Sequence, residues 1–417
     1  MPPSNTTRVQ STRTQYSPRL SVLAVVPLVV YLLFFLPFMF SATSFRQGLG
    51  DWVGRDFVPF YAASLMNREG RSVDAFELEK FRKVQATFVG DERAGFPWLY
   101  PPTYVPVVAP LAYFSVPVAF WLWGGFGILL YAISLRSITV KSHVWLFALA
   151  GTGTFVTLLQ GQNGFLVASL LVGAMTCLIH RKDRLAGLLI GLLLFKPHFG
   201  ILLPLVLLAG KRYQAFVFAT VTSCGVLLLS TLWCGLEYWH VYFEKSPGHY
   251  AALLDMPEMW NRMPTVMASL QTFGLSADLA KIFFVILVVP VLILVYLAWQ
   301  KMGPCGTTAS LLISGTCLIV PYLLFYDLLL LAPAVVFLWS DRSASRTPAV
   351  WQIGVAGFVL LLPFGLKFSP WPLAWVGLAG TSMVYAWGII QAYSSNAGQA
   401  QGDGSEAGEV VETANSH

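Results

Sequence analysis

Runs of about twenty apolar residues, separated by short loops rich in Lys and Arg, constrain this chain more than any other feature. Wound as a helix, a run of that length matches the hydrocarbon thickness of a bilayer. Such runs lie at 20–40, 214–235, 279–299, 349–366 and 370–391. Of 417 residues, 56% are hydrophobic and only 11% charged, with a mean hydropathy of +0.66; a soluble domain carries roughly 25% charged residues. The fold class expected is therefore an all-α polytopic membrane protein. The formal net charge of +6 sits in loops rather than on a polar domain, so it gives no nucleic-acid signal. The five cysteines form no C-x-x-C pair and fall mostly within apolar runs, as small buried hydrophobes do.

Charge sorts the ends of these runs into two sides. Arg136 with Lys141, Arg181-Lys182 with Arg184, Lys211-Arg212, Lys301, and Arg342 with Arg346 mark five short loops, and Asp183 and Asp341 are the acids among them. By the positive-inside rule all five are cytoplasmic. So are a polar arm (1–19) and a tail (393–417), both expected to be disordered. The stretch 185–210 then starts and ends in the cytoplasm with about 26 residues, where two full crossings need roughly 40. It must be a hairpin of two short helices whose apex, Lys196-Pro197-His198, lies at membrane depth. The same reasoning puts a second apex near Pro321–Asp327. Backbone that leaves the helix at that depth faces protein or a watery cavity, so both apices are expected to line a cavity open to the outer side. Further spans are expected at about 105–136 (broken near Ser115-Val116-Pro117), 143–160 and 163–180. The sum is about 10–12 transmembrane helices in one domain, 20–392, with no P-loop and no G-x-G-x-x-G.

Two polar segments remain on the outer side. The first, 43–101, carries eight basic and eight acidic residues. Within it Val73, Phe76, Phe81, Val84 and Phe88 fall on one side of a helical wheel, predicting an amphipathic helix on the membrane surface. The second, 236–278, has an acidic excess and no recognisable motif; nothing marks His240 or His249 as site residues.

Ionisable groups at membrane depth are functional candidates. Lys196 beside His198 suits a phosphate by charge and by hydrogen bonding; the alternative is that Lys196 snorkels or pairs with a carboxylate for stability. Asp327 is a natural partner for Lys196, and structural pairing and a site role stay open for it. Gln160-Gly161-Gln162-Asn163-Gly164 is a polar turn whose amides suit sugar hydroxyls, and a tight turn also accounts for it. Asp56, in Arg55-Asp56-Phe57-Val58-Pro59-Phe60-Tyr61, is either a catalytic carboxylate or the N-cap of a helix. Asp51, Glu69 and Asp74 compete with it, and composition does not choose among them.

The order of motifs does choose. Asp-Phe-x-x-Phe-Tyr-Ala-Ala (56–63) is followed by Tyr-Pro-Pro (100–102), Pro-Leu-Ala (110–112) and Gly-Gln-Asn (161–163). Leu-Ala-Gly-Leu-Leu-Ile-Gly-Leu-Leu-Leu-Phe-Lys-Pro (185–197) and Tyr-Asp-Leu-Leu-Leu-Leu (326–331) come later. Over about 20–390 this series resembles the family 87 glycosyltransferases, membrane enzymes of the GT-C type that include bacterial polyprenyl-phosphomannose-dependent mannosyltransferases. The resemblance implies a multi-pass protein of the bacterial inner (plasma) membrane with both termini cytoplasmic. It implies transfer of a hexose, mannose first, from a polyprenyl-phosphate carrier to a glycolipid or polysaccharide acceptor on the outer face. Asp56 stands where the family's general base is placed, and Gln162, Asn163, Lys196 and Pro197 match its motifs; His198 after Lys-Pro is a departure. The donor phosphate is then expected at Lys196, His198 and Arg55. The sugar or acceptor is expected among Tyr61, Tyr100, Gln162, Asn163, Tyr326 and Asp327. Attack on the anomeric carbon with a phosphate leaving would invert that centre and calls for no metal or other cofactor. The alternative from another class is a secondary transporter or lipid-linked sugar flippase using Lys196 and Asp327 as a coupling pair in broken helices; no similarity between the two halves of the chain supports it.

Overall fold

The computed structural model describes residues 18–40, 53–89, 95–139, 141–341, 349–369, 371 and 373–414. Among these the chain is helical, without a β-strand. In chain order the helices are α1 (Pro18–Phe40), α2 (Phe57–Arg68), α3 (Leu78–Val89), α4 (Val116–Ile138), α5 (Ser142–Leu149), α6 (Thr152–Gln160), α7 (Gly164–Ile179), α8 (Asp183–Leu192) and α9 (Leu203–Ala209). There follow α10 (Tyr213–Cys234), α11 (Leu236–Leu254), α12 (Val266–Thr272), α13 (Ala277–Met302), α14 (Gly306–Ile319), α15 (Leu331–Ser340), α16 (Val350–Phe368) and α17 (Ala374–Ala414), with single turns and 3-10 segments between some of them. Among the described residues α4, α10, α13 and α16 are long and apolar enough to cross a membrane by themselves. Several other apolar helices, α7, α14 and α15 among them, are shorter, because the chain breaks the runs.

The breaks have local causes. Lys196 leaves the helical region at φ −137°, ψ 66°, and Val320 is extended at φ −80°, ψ 121°. Each precedes a proline, whose ring crowds the preceding residue out of the α conformation. Both hairpins expected from the charge pattern are therefore present, and both turn by the same device. The 105–136 span is interrupted as expected: 3-10 and short helical turns run to Tyr113, Ser115 is extended, and Pro117 sits in the first turn of α4.

Three expectations are corrected. The run 143–160 is two helices rather than one span. It breaks at Ala150-Gly151, where the Tyr31 hydroxyl donates to the Ala150 carbonyl at 2.7 Å and Thr152 Oγ1 donates to the Leu360 carbonyl at 2.7 Å. The amphipathic segment of the first loop is a 3-10 stretch (Ser72–Phe76) and α3, and its apolar side packs on protein rather than lipid. Phe76 meets Tyr238, Phe81 meets Trp98 and Phe88 meets Tyr61, with ring centroids 5.1, 6.0 and 5.2 Å apart. The tail expected to be unstructured continues α17 as helix to Ala414. Most of the N-terminal arm, and Asp51, lie outside the described residues.

The helices have two distinct ends. At one, Ser137 donates to Thr176 at 3.2 Å, Arg212 pairs with Asp183 at 2.8 Å, and Asp341 accepts from the Gly306 amide at 2.9 Å. Gln391 reaches Thr307 there at 3.0 Å. Among the described residues the ends that carry the basic loops thus collect on one side. The polar turn 160–163 and both apices lie at the opposite ends of the same helices; the 16 residues of α7 alone separate the two sides by about 24 Å.

Close approach of α8 to α10 sets the first hairpin. A methyl group on Gly191 would lie 2.4 Å from Thr222 Cβ and 2.9 Å from the Ser223 amide nitrogen, and one on Gly187 would lie 2.5 Å from the Ala215 carbonyl. The Gly187-x-x-x-Gly191 spacing is the small-residue pattern that lets membrane helices touch along their backbones. Gly191→Val is expected to destabilise the protein by about 1–3 kcal/mol through overpacking. A lowered thermal unfolding midpoint of detergent-purified protein is the readout; an unchanged midpoint would contradict this packing.

Candidate active site

Asp56 is fixed from its backbone outward. The Gly54 amide donates to the Leu159 carbonyl at 2.7 Å and the Asp56 amide to the Gln160 carbonyl at 3.1 Å. These two bonds pin the start of α2 to the end of α6. Gly161 makes that junction possible. It caps α6 at φ +68°, a left-handed conformation that favours glycine, and a Cβ there would lie 2.5 Å from Phe57 Cβ.

The Asp56 side chain makes no capping bond to α2, although it occupies the N-cap position. That removes the bland explanation for it. Instead its Oδ2 accepts from Gln162 Nε2 at 2.9 Å and from Gln160 Nε2 at 3.3 Å. Among the described residues its Oδ1 has no hydrogen-bond donor. Asp56, Gln160 and Gln162 line a cavity of about 420 Å³. Of the competing acids, Glu69 is exposed and bonded to Arg71, and Asp74 pairs with Lys80 at 2.9 Å; neither lines the cavity.

The two proline-broken apices meet behind this cavity. Lys196 Nζ lies 2.8 Å from Asp327 Oδ1, with side chains only 6% and 3% exposed. Asp327 Oδ2 also accepts from the Leu324 amide at 3.1 Å, and Lys196 Nζ approaches Asn163 Oδ1 at 3.4 Å. Asn163 in turn donates from Nδ2 to the hydroxyls of Tyr100 and Tyr104, both at 3.1 Å. Those rings stack on each other at 4.2 Å, and Tyr104 stacks on Phe195 at 5.3 Å. One continuous network therefore joins the first loop, the 160–163 turn and both hairpins. Burial pushes the Tyr100 phenol well above its usual range, so it stands at the cavity as a neutral hydroxyl.

Most of the expected site residues come together. Asp56, Tyr100, Gln162, Lys196, His198 and Tyr326 line the cavity, while Asn163 and Asp327 stand directly behind it. His198 Nε2 is buried without a partner among the described residues. Arg55 is not in the lining, but its guanidinium lies 5.0 Å from the ring of Phe96, which is. Tyr61 is placed elsewhere: its hydroxyl donates to the Phe114 carbonyl at 2.9 Å and its ring faces Phe88. The second external segment, without a motif in the sequence, supplies Tyr242, Tyr250 and Arg262 to the wall. His240 is exposed beside Glu244, and neither it nor His249 lines the cavity. The sequence signal for this segment was its aromatic content on an outer face, which does not single out residues.

A carboxylate braced by two amides thus stands over a cavity set between broken apolar helices. The chain belongs to glycosyltransferase family 87, whose sequence profile matches residues 98–321. It is similar to the alpha-(1→3)-arabinofuranosyltransferase of Corynebacterium glutamicum, 23% identical over 315 residues that cover 70% of this chain and 72% of that protein. No solved structure matches. Asp56 and Asp327 lie outside the stretch matched by the profile, so their places in the site rest on geometry.

Breaking the buried pair leaves one charge uncompensated, which costs about 3–5 kcal/mol, whereas an apolar pair of similar size is tolerated. Lys196→Ala and Asp327→Ala should each lower the thermal midpoint strongly. The double variant Lys196→Met/Asp327→Leu should recover most of the loss. Single variants as stable as the parent would contradict the pairing.

Proposed function

We propose that this membrane glycosyltransferase moves a sugar from a polyprenyl-phosphate carrier to a hydroxyl of a glycolipid or polysaccharide acceptor, with Asp56 as general base. The observation that carries this reading is the Asp56 carboxylate: uncapped, oriented through Oδ2 by Gln160 and Gln162, and without a donor at Oδ1 among the described residues. A base must be held within hydrogen-bond reach of the proton it takes, and the two amides fix that direction.

In the proposed step the acceptor oxygen forms a bond to the anomeric carbon while the bond from that carbon to the phosphate oxygen breaks. Its electron pair leaves on the phosphate, and the hydroxyl proton passes to Asp56. Attack from the face opposite the leaving group inverts the centre. Lys196 and Asp327 compensate each other, so their role is to clamp the two apices. His198, whose Nε2 has no partner among the described residues, and Tyr100 are the hydrogen-bonding groups for the donor.

The basic loops collect at the end of the bundle away from the cavity, which by the positive-inside rule supports a cavity on the outer face of a bacterial inner membrane with cytoplasmic termini. The sugar proposed first is a hexose, mannose; arabinofuranose is the second choice, because the relative's name specifies an arabinofuranosyl group.

Radiolabelled polyprenyl-phosphate sugars, supplied with membrane lipid extract to purified protein, test this. Label should move into product with release of polyprenyl phosphate. Asp56→Asn should lower the rate roughly 10²–10⁴-fold, the range for loss of a general base, without lowering the thermal midpoint. Near-parental transfer by Asp56→Asn would overturn the assignment.

A further inference from the structure

Lys196, the cation that the sequence offers for a phosphate, is already matched by Asp327. Three other cations stand at the cavity wall. Arg262 lines it directly, in the connection between α11 and α12, and its carbonyl accepts from the amide of Phe325 at 3.0 Å. Lys367, in the last turn of α16, holds Nζ 5.7 Å from the ring of that same Phe325. Arg55 lies over Phe96 across the cavity wall. Phe325 and Phe96 both line the cavity, so Lys367 and Arg55 stand against its wall. Among the described residues none of the three cations is in a salt bridge, and Arg55 Nε is buried without an acceptor. Asp56 lines the same cavity as Arg262, and its Oδ2 is taken by two glutamines.

Three half-buried cations in no salt bridge at one cavity are poorly solvated, an arrangement whose cost an anionic ligand removes. Resting on the proposed transfer, we infer that Arg262, Lys367 and Arg55 form the site for the phosphate of the lipid-linked donor, and hold it as it leaves. The charges match the chemistry. A sugar-linked phosphodiester carries one negative charge. When the bond from the anomeric carbon to oxygen breaks, the released lipid phosphate is a monoester that carries up to two. Fixed cations gain most where charge grows, and the gain here favours departure. The three residues come from three separate parts of the chain: the first outer loop, the second outer segment and the end of α16. The second outer segment thereby acquires a purpose that its sequence does not announce. An arginine fork also grips two phosphate oxygens at once, which suits Arg262 to orient the departing group relative to Asp56.

The test uses the released product, so it needs no knowledge of the sugar. Binding of undecaprenyl phosphate and of undecaprenol to the full-length protein in nanodiscs is measured by thermal shift and by titration. The parent should bind the phosphate in preference to the alcohol. Arg262→Gln/Lys367→Gln should weaken undecaprenyl phosphate binding roughly 10- to 100-fold and leave undecaprenol unchanged, while Arg262→Lys/Lys367→Arg should retain most of the preference. A folded double Gln variant that binds the phosphate like the parent overturns this site and leaves the proposed transfer standing. A parent that does not prefer the phosphate overturns both. Loss of undecaprenol binding together with the phosphate would assign the pair to packing and also overturn the site.

Discussion

The contact between Lys196 and Asp327 is the interaction on which the rest of the site depends. Two hairpins too short to cross a membrane each end in a proline-broken apex, and each apex carries one ionisable residue. At 2.8 Å and nearly without solvent, neither charge is stable without the other. Their pairing brings residues 131 positions apart to the same point and leaves Asn163 with fixed partners in Tyr100 and Tyr104. The aromatic wall of the cavity, the polar turn after α6 and the seat of Asp56 all follow from that junction. A buried ion pair is weak evidence for stability as such; here its consequence is registration of two independent hairpins.

The electrostatics divide into two regions with different tasks. Behind the cavity, charge is cancelled, and Lys196 with Asp327 acts as a rivet. In front, Asp56 and Arg262 line the cavity and Lys367 and Arg55 stand against its wall, none of the three cations being in a salt bridge among the described residues. Half-buried cations in no salt bridge at a cavity suit a ligand that brings negative charge and releases more of it. Acceptor activation by Asp56 and departure of a lipid phosphate are the two halves of one displacement, and the cavity offers a group for each.

Much of this was legible in the sequence, for reasons that can be named. The hairpins followed from counting: about 26 residues cannot make two crossings, and Pro197 and Pro321 fix where each turn falls. Asp56 and the Gln162-Asn163 pair were singled out by motif order. The pairing of Lys196 with Asp327 was open rather than hidden, since an acid and a base in separate apolar runs are natural partners without their distance being known. What stayed illegible depended on tertiary contact. Gln160 differs from Gln162 in no local feature, and only the junction of α2 with α6 turns both amides to one oxygen. Tyr61 looked like a site residue because it follows Asp56, yet the helical rotation of α2 carries it to Phe88. Arg262 and Lys367 lie in stretches without motifs, 105 residues apart in number, and Phe325 is what brings them together. The amphipathic pattern of the first loop was real, but hydrophobic periodicity does not say whether the apolar side meets lipid or protein.

The claim at the centre of this account is that Asp56 activates an acceptor for direct displacement of a lipid phosphate. The stereochemistry of the transferred sugar tests it most directly. With a donor of known anomeric configuration, the configuration of the new glycosidic bond is read from the one-bond carbon–hydrogen coupling at the anomeric position. Single displacement predicts an inverted product. A product with the donor's configuration would contradict the account.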